Sequence, residues 1–432
     1  MAHHPQPQQK NSSQPPQNPE IISWLQGLNL TTPTDRQGRL RLGLNLRAET
    51  LPLLENYLSY LGSNDAFIMF TLPRFPDQQT LTWLQAEFGP ELRALAPQYL
   101  DVFGRWGIQL NGDFPSEMAE LSLSAGILTW QGGPLADYFA TGRTGSLPDY
   151  LDRYARVDRL AYEYGQADIP VRREVCGLHT ATMVPASLLV ALIALEARLI
   201  QAQGVSQISV AYSPNGHLLQ DVAALRVLAT LIEGPAVDVV CLPWTGGSLL
   251  GQQNLNTVAA WTTATSVLGS ARCCEVTAVE TDRSLTTDQL GVLLDLARGL
   301  IRLSADQAQA VAAAAELEAQ QIRMEAEAIV NRVLELGDGK VAMGLEPAIA
   351  EGSLDLPLAS FGVCRGQVLS ARDNTGALRF LDAGALPLPA VCKQKHIQLL
   401  KERAQLEGRE LGISMVIDDV YAYSKGKLVG KF

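Results

Sequence analysis

Residues 206–242 read SQISVAYSPNGHLLQDVAALRVLATLIEGPAVDVVCL. The stretch opens on a short β-branched run, SQISVAY (206–212). It then takes helical spacing over 218–233 and closes on a second apolar run, AVDVVCL (236–242). A strand, a helix and another strand in so short a span make a parallel crossover unit. The same beat extends both ways. Further short runs are RLGLNL (41–46), AFIMFTL (66–72), WGIQLN (106–111), GILTW (126–130), IPVRREV (169–175) and RCCEVTAV (272–279). Helical stretches follow them, over 50–61, 79–96, 115–123, 148–165, 185–203, 253–268 and 285–303. Eight such units in about 265 residues predict an α/β chain whose residues 40–303 close as a TIM (β/α)8 barrel rather than an open doubly wound sheet. No GxGxxG or Walker A loop opens any of these helices, which lowers the dinucleotide and nucleotide readings.

The outer segments differ. Residues 1–20 are rich in Gln, Pro, Asn and Ser and predict a disordered N-terminal tail. Residues 304–339 predict a long Ala/Glu-rich helix linking the domains, ended by Gly337 and Gly339. Residues 340–432 predict a C-terminal α+β module. Within it, 371–384 reads as a hairpin around Asn374-Thr375-Gly376, 391–408 as a basic helix, and 415–431 as strand and loop.

The chain has 432 residues, 47% of them hydrophobic and 18% charged, so a large core is well supplied. Lys and Arg number 34 against 45 Asp and Glu, a net charge of −11. That balance argues against a partner with a phosphate backbone and against an anionic membrane surface. No apolar run reaches the ~18 residues of a membrane span, and no signal-peptide pattern opens the sequence. The six cysteines form no CxxC pair, so neither a disulfide framework nor a zinc ribbon is indicated, and a reduced cytoplasm is the simplest expectation.

Barrels of this kind work at the C-terminal ends of their strands. The residues delivered there are Arg47, Arg74, Asn111 with Asp113, Gln131-Gly132-Gly133, Arg173 and Glu174 with His179, Asn215 with His217, Trp244 with Gly246 and Gly247, and Glu280 with Asp282. Two arginines could grip a carboxylate in fork geometry, or be surface caps. The paired glycines could admit a flat ligand, or be tight turns. His179 and His217 could equally be satisfied loop histidines. No Ser-His-Asp, Cys-His or HExxH arrangement can be assembled.

Three stretches carry more: HLLQDVAALRVL (217–228), ARDNTGALRFLDAG (371–384) and KERAQLEGRELGISMVIDDVYAYSKGKLVGK (401–431). They closely resemble the large (epsilon) subunit of glutamate mutase, also called methylaspartate mutase. The resemblance is strong over 155–280 and 330–432, and weaker but collinear over 40–150. It implies a TIM barrel that stacks on adenosylcobalamin and a radical rearrangement of glutamate to 3-methylaspartate. It also implies a hetero-oligomer, in which a small cobalamin-binding subunit ligates cobalt through the histidine of a DxHxxG motif. This chain lacks that motif, since Gly177, Asn215 and Gln394 stand two places before its downstream histidines. The cofactor would therefore be shared with a partner subunit.

The resemblance assigns roles unevenly. Two carboxylate-binding arginines fall on Arg47 and Arg74, while the third belongs to an Arg-His-Gly motif that here reads Leu110-Asn111-Gly112. The family's Glu-Gly-Gly becomes Gln131-Gly132-Gly133. Its glutamate contacts the substrate ammonium and assists as a base; a neutral amide cannot accept that proton. Two family tyrosines align with Asp137 and Thr141, and a lysine near Asp288. Arg173-Glu174, Thr180 and Trp244-Thr245-Gly246-Gly247 are kept. The candidate catalytic residues are thus Gln131 and His179, with Arg47, Arg74, Gln131, Asp137, Thr141, Arg173 and Thr180 for a small carboxylic acid substrate. Gly132, Gly133, Asn215, Trp244, Gly246 and Gly247 are the cofactor candidates. Each lost charged contact would forfeit about 1.5–3 kcal/mol, so the changes bear on substrate choice more than on fold. Two other readings stand beside this one: a degenerate homologue acting in binding or assembly, and a metal-free barrel lyase or aldolase.

Overall fold

The computed structural model describes residues 18–28, 40–46, 55–57, 59–60, 66–70, 82, 86, 89–95, 106–110, 114–141, 145–178, 183–232, 237–243, 255–277, 285–359 and 362–425. Eight parallel strands close into a barrel in sequence order. They are β1 (Arg41–Leu46), β2 (Ala66–Phe70), β3 (Trp106–Gln109), β4 (Thr129–Gln131), β5 (Arg172–Val175), β6 (Ile208–Tyr212), β7 (Val237–Cys241) and β8 (Cys273–Thr277). Closure is direct: β1 pairs β2 on one side and β8 on the other, with Gly43 opposite both Phe67 and Glu275.

Alternation along each strand sorts the side chains. Leu42, Leu44, Ile68, Ile108, Trp130, Val175, Ile208, Val210, Val239 and Val276 join the large core under the helices. Phe67, Cys176, Ala211, Val240, Leu242 and Cys273 form a smaller cluster inside the barrel. The remaining inward places are strongly polar.

The outer layer holds α1 (Pro19–Gly27), α2 (Gly89–Leu95), α3 (Pro115–Ser124), α4 (Pro134–Thr141), α5 (Leu147–Gln166), α6 (Ala186–Ala202), α7 (Leu218–Leu231), α8 (Leu255–Leu268) and α9 (Thr287–Ser304). Pro19 and Glu20, assigned to the disordered tail by composition, open α1; Asn18 caps it by accepting from the N–H of Glu20 and Ile21. The rest of that tail lies outside the described residues. Strands β4 and β5 begin three residues later than expected, at Thr129 and Arg172. Gly126 and Ile127 still close the turn after α3, donating to Leu123 O and Ser122 O. Ile169 likewise donates back to Tyr164 O. Helix α4 was not expected. Pro134 starts it, where a missing N–H costs nothing.

The Ala/Glu-rich segment is three pieces: a 3-10 turn at Ala305–Gln307, α10 (Ala308–Ala314) and α11 (Glu316–Leu336). Helix α11 lies against α6 and α7 and ends at Gly337. Its Ile322, Ala326, Ile329, Val330 and Val333 belong to the same continuous core as the barrel helices. After α12 (Val341–Glu351), β9 (Leu369–Arg372) and β10 (Leu378–Asp382) make the expected antiparallel hairpin, and α13 (Ala390–Leu406) the expected helix.

One expectation is overturned. Residues 415–431, read as strand and loop, lie in α14 (Ile413–Ser424) as far as they are described. Met415, Val416, Asp419 and Ala422 are its buried residues, a helical spacing that β-branched and aromatic composition masked. Among the described residues no helix is long and apolar enough to cross a membrane, and no cluster of three or more His, Cys, Asp or Glu could hold a metal. All six cysteines are free thiols.

Candidate functional site

The polar interior begins low in the barrel. Arg41 and Arg172, the first residues of β1 and β5, both reach Asp238 on β7, at 2.9 and 2.5 Å. One tier higher the groups change character. Gln109 donates its side-chain amide to Gln131 Oε1 at 2.8 Å. Gln131 donates in turn to Glu174 Oε1 at 2.6 Å and, more distantly, to Glu275 Oε1 at 3.4 Å. Gln131 and Glu275 are fully buried and Glu174 is 3% exposed. Burial raises the Glu174 pKa, against the hydrogen bond from Gln131 and the Arg172 and Arg41 charges. A glutamate at position 131 would be a third buried acid in this tier, so the neutral amide suits its surroundings.

The rim above is held by carboxylates that the sequence reading passed over. Glu196 comes from α6 and is fully buried. It accepts from the N–H of Leu135 and Ala136, at the start of α4, both at 2.9 Å, and from Gly177 N–H at 3.1 Å. It thus ties the loop after β4 to the loop after β5. Desolvation pushes its pKa up to about 7, against those three donors. Asp221 does the same for the loop after β6, accepting from Asn215 N–H (2.7 Å), Gly216 N–H (3.0 Å) and Tyr212 Oη (3.0 Å). Its pKa rises to about 6 by burial. Both residues were legible as lone acids in otherwise apolar helical stretches. Glu275 was legible too, through alternation with Cys273.

The expected site residues divide into three groups. Arg47, Arg74, His179, Thr180, Trp244, Gly246 and Gly247 lie outside the described residues. Thr141 is the last residue of α4. The others have defined places. Gln131 sits in the acid tier. Gly132 has φ +137, a backbone that favours glycine, and donates its N–H to Glu174 O at 2.9 Å. A Cβ on Gly133 would stand 2.2 Å from Glu196 Oε1. Both glycines are therefore required by the chain's own packing. Asp137 is buried and accepts from Tyr154 Oη at 2.7 Å.

Arg173 is fully buried and points away from the interior. It donates to Asp158 Oδ1 at 2.7 Å, Trp130 O at 2.5 Å and Gly132 O at 3.0 Å. Its guanidinium thus braces the β4 end from behind. Asn215 donates its side-chain amide to Val184 O at 3.0 Å, and its carbonyl accepts from Arg372 at 2.8 Å. The β9–β10 hairpin therefore reaches the barrel mouth. Ser370 donates to Met183 O, and His217 Nε2 meets Thr375 Oγ1 at 3.3 Å. His217 Nδ1 accepts from Gln220 N–H at 3.2 Å, so both ring nitrogens are engaged. Desolvation lowers its pKa.

The profile described as Methylaspartate mutase E chain (MutE) matches residues 108–432. That span runs from within β3 to the end of the chain. The chain is 32% identical over 324 residues to a glutamate mutase epsilon subunit of Desulfitobacterium hafniense, covering 73% of this chain and 67% of that one. It is 31% identical over 324 residues to the glutamate mutase epsilon subunit of Escherichia coli O157:H7, with the same coverage. The glutamate mutase epsilon subunit of Haloarcula marismortui is 32% identical over 320 residues, covering 73% of this chain and 66% of that one. With the closed barrel, the polar interior and a profile match over three quarters of the sequence, this chain belongs to the methylaspartate mutase E chain family.

Proposed function

We propose that this chain is the catalytic subunit of a cobalamin-dependent carbon-skeleton mutase. Its substrate would be glutamate or a related small carboxylic acid. Family membership across β3–β8 and the C-terminal elements is the observation that carries the reading. The barrel suits it physically, because radical chemistry needs a closed, dry chamber whose groups are fixed beforehand. Adenosylcobalamin would supply the radical that starts the rearrangement.

The two histidines among the described residues fit a cofactor gripped by a partner subunit. His217 is engaged at both nitrogens, and His396 is buried with Nε2 at 2.7 Å from Glu325. Neither is offered to a cobalt ion. Trp244, Gly246 and Gly247 would face the corrin, and Arg47 and Arg74 would hold a substrate carboxylate. Asn215 and Gly132 would hold the mouth loops in shape rather than touch the cofactor. The same logic assigns Arg173 to positioning rather than to the substrate. The epsilon-subunit name of the relatives supports a multi-subunit enzyme, in which the partner would be a small subunit with a DxHxxG motif.

Titration calorimetry tests the division of labour. The chain alone should bind adenosylcobalamin weakly, and addition of a DxHxxG subunit should tighten binding at least tenfold. Tight one-to-one binding by the chain alone would refute it. The neutral Gln131 in place of the family glutamate supports a second reading, an assembly protein without mutase chemistry. That reading requires cobalamin binding without Co–C bond cleavage.

A further inference from the structure

The loop after β5 runs from Cys176 to Pro185 and leads into α6. Side chains from outside the loop hold both of its ends. At the first end, Gly177 N–H donates to Glu196 Oε2 of α6 at 3.1 Å. At the second end, the Ser370 hydroxyl of β9 donates to Met183 O. The side-chain amide of Asn215, from the loop after β6, donates to Val184 O beside it at 3.0 Å. Only residues 178–182 lie between these holds. That span carries His179 and Thr180, which the family resemblance places at the site; residues 179–182 lie outside the described residues.

The second hold keeps the backbone in a form it would not adopt by itself. Met183 has φ +57, in the left-handed region that a methionine rarely enters. Such a backbone persists where its surroundings over-determine it. Met183 and Ser370 are both buried, so water does not readily replace their bond. Asn215 is itself fixed on both sides: its N–H donates to Asp221 at 2.7 Å, and its carbonyl accepts from Arg372 of β9 at 2.8 Å. The hairpin in turn is fastened down. Gln220 of α7 accepts from Leu378 N–H at 3.0 Å and donates to Leu378 O at 3.1 Å, while Asp419 of α14 accepts from Arg372 N–H at 2.7 Å. Two residues of β9 thus bear on the loop after β5, Ser370 directly and Arg372 through Asn215.

We propose that the β9–β10 hairpin sets the working position of the loop after β5, with Ser370 and Asn215 as its positioning residues. The C-terminal elements then serve the reaction from outside the barrel. They act through the backbone of Met183 and Val184 rather than through contact with the ligand. A short span held at both ends presents its side chains with little freedom, which is what a preorganised site requires. The hold stands on the hydrogen bonds alone, and its effect on turnover rests on the mutase reading.

Hydrogen exchange followed by mass spectrometry on the full chain alone reads the hold. Ser370→Ala should speed exchange in the peptide spanning 176–185 by about tenfold, because a buried carbonyl loses its donor. Asn215→Ala should act in the same direction. The β9–β10 peptides should keep their protection, and Ser370→Thr, which retains the hydroxyl, should restore slow exchange. Unchanged exchange over 176–185 in both alanine variants would overturn the proposal. So would faster exchange spread over the whole chain with a lowered melting temperature. In the enzyme assembled with a DxHxxG subunit and adenosylcobalamin, Ser370→Ala should lower kcat by about tenfold, leave cofactor affinity unchanged and be rescued by Ser370→Thr. Full turnover by a variant whose loop has loosened would overturn the positioning role. Absence of turnover in the wild type would count against the mutase reading, while the exchange result still decides the hold.

Discussion

Glu196 shows how a single buried acid sets the behaviour of the rim. Its folded pKa stands near 7 against an ordinary 4.5, so the folded chain holds a proton that the unfolded chain gives up. Stability from this group is full below about 4.5 and is lost as pH rises through about 7. The shift corresponds to about 3 kcal/mol. Glu196→Gln should flatten the stability–pH curve in that window, measured by urea denaturation across pH. An unchanged curve would show that Glu196 is not the group responsible. Arg173 gives a second prediction. Its pair with Asp158 is buried on both sides, so Arg173→Ala should cost about 3–5 kcal/mol of stability. An arginine serving the substrate alone would lose binding and leave the denaturation midpoint in place. At this scale the sequence was informative about residue type and poor about direction. Arg173 and Glu174 are neighbours on β5, and one faces the helices while the other faces the interior; only the barrel's alternation separates them.

Among the elements, the C-terminal hairpin and helix pair are where local reading and tertiary packing part company. ISMVIDDVYAYS carries the β-branched and aromatic residues of a strand, yet folds as α14. Its buried residues are spaced as on one helix face, and a buried ion pair fixes that face to its neighbours. Asp419 accepts from Arg403 at 2.8 Å and from the Arg372 N–H at 2.7 Å, so one carboxylate joins α14, α13 and β9. Asp419→Ala leaves the Arg403 charge without its second acid, Glu407 remaining. It should destabilise by about 3–5 kcal/mol and loosen the hairpin. Hydrogen exchange at the β9–β10 amides reads the loosening, and unchanged protection there would contradict it. The barrel strands were legible because each is an apolar run between helical stretches. The starts of β4 and β5 were not, because the turns after α3 and α5 continue the apolar pattern.

For the whole molecule, the sequence pattern carried the barrel and the family, while the structure adds the hydrogen-bond partners of Gln131, Asp137, Arg173 and Asn215. Arg47 ends the first strand's expected delivery to the mouth, and it lies outside the described residues. As a fork for a substrate carboxylate, Arg47→Lys keeps charge but loses the bidentate contact, weakening ligand binding by about 1–3 kcal/mol. Calorimetry of wild type and variant with the same carboxylic acid measures this, and equal affinities would remove Arg47 from the site. The most direct test of the account is Co–C bond cleavage in the assembled enzyme. The chain, a DxHxxG partner subunit and adenosylcobalamin are mixed with candidate amino-acid substrates, and the cob(II)alamin signal is followed by electron paramagnetic resonance. The account predicts a signal that needs all three components and a small carboxylic acid substrate. A tightly assembled complex that stays silent with every such substrate would contradict it.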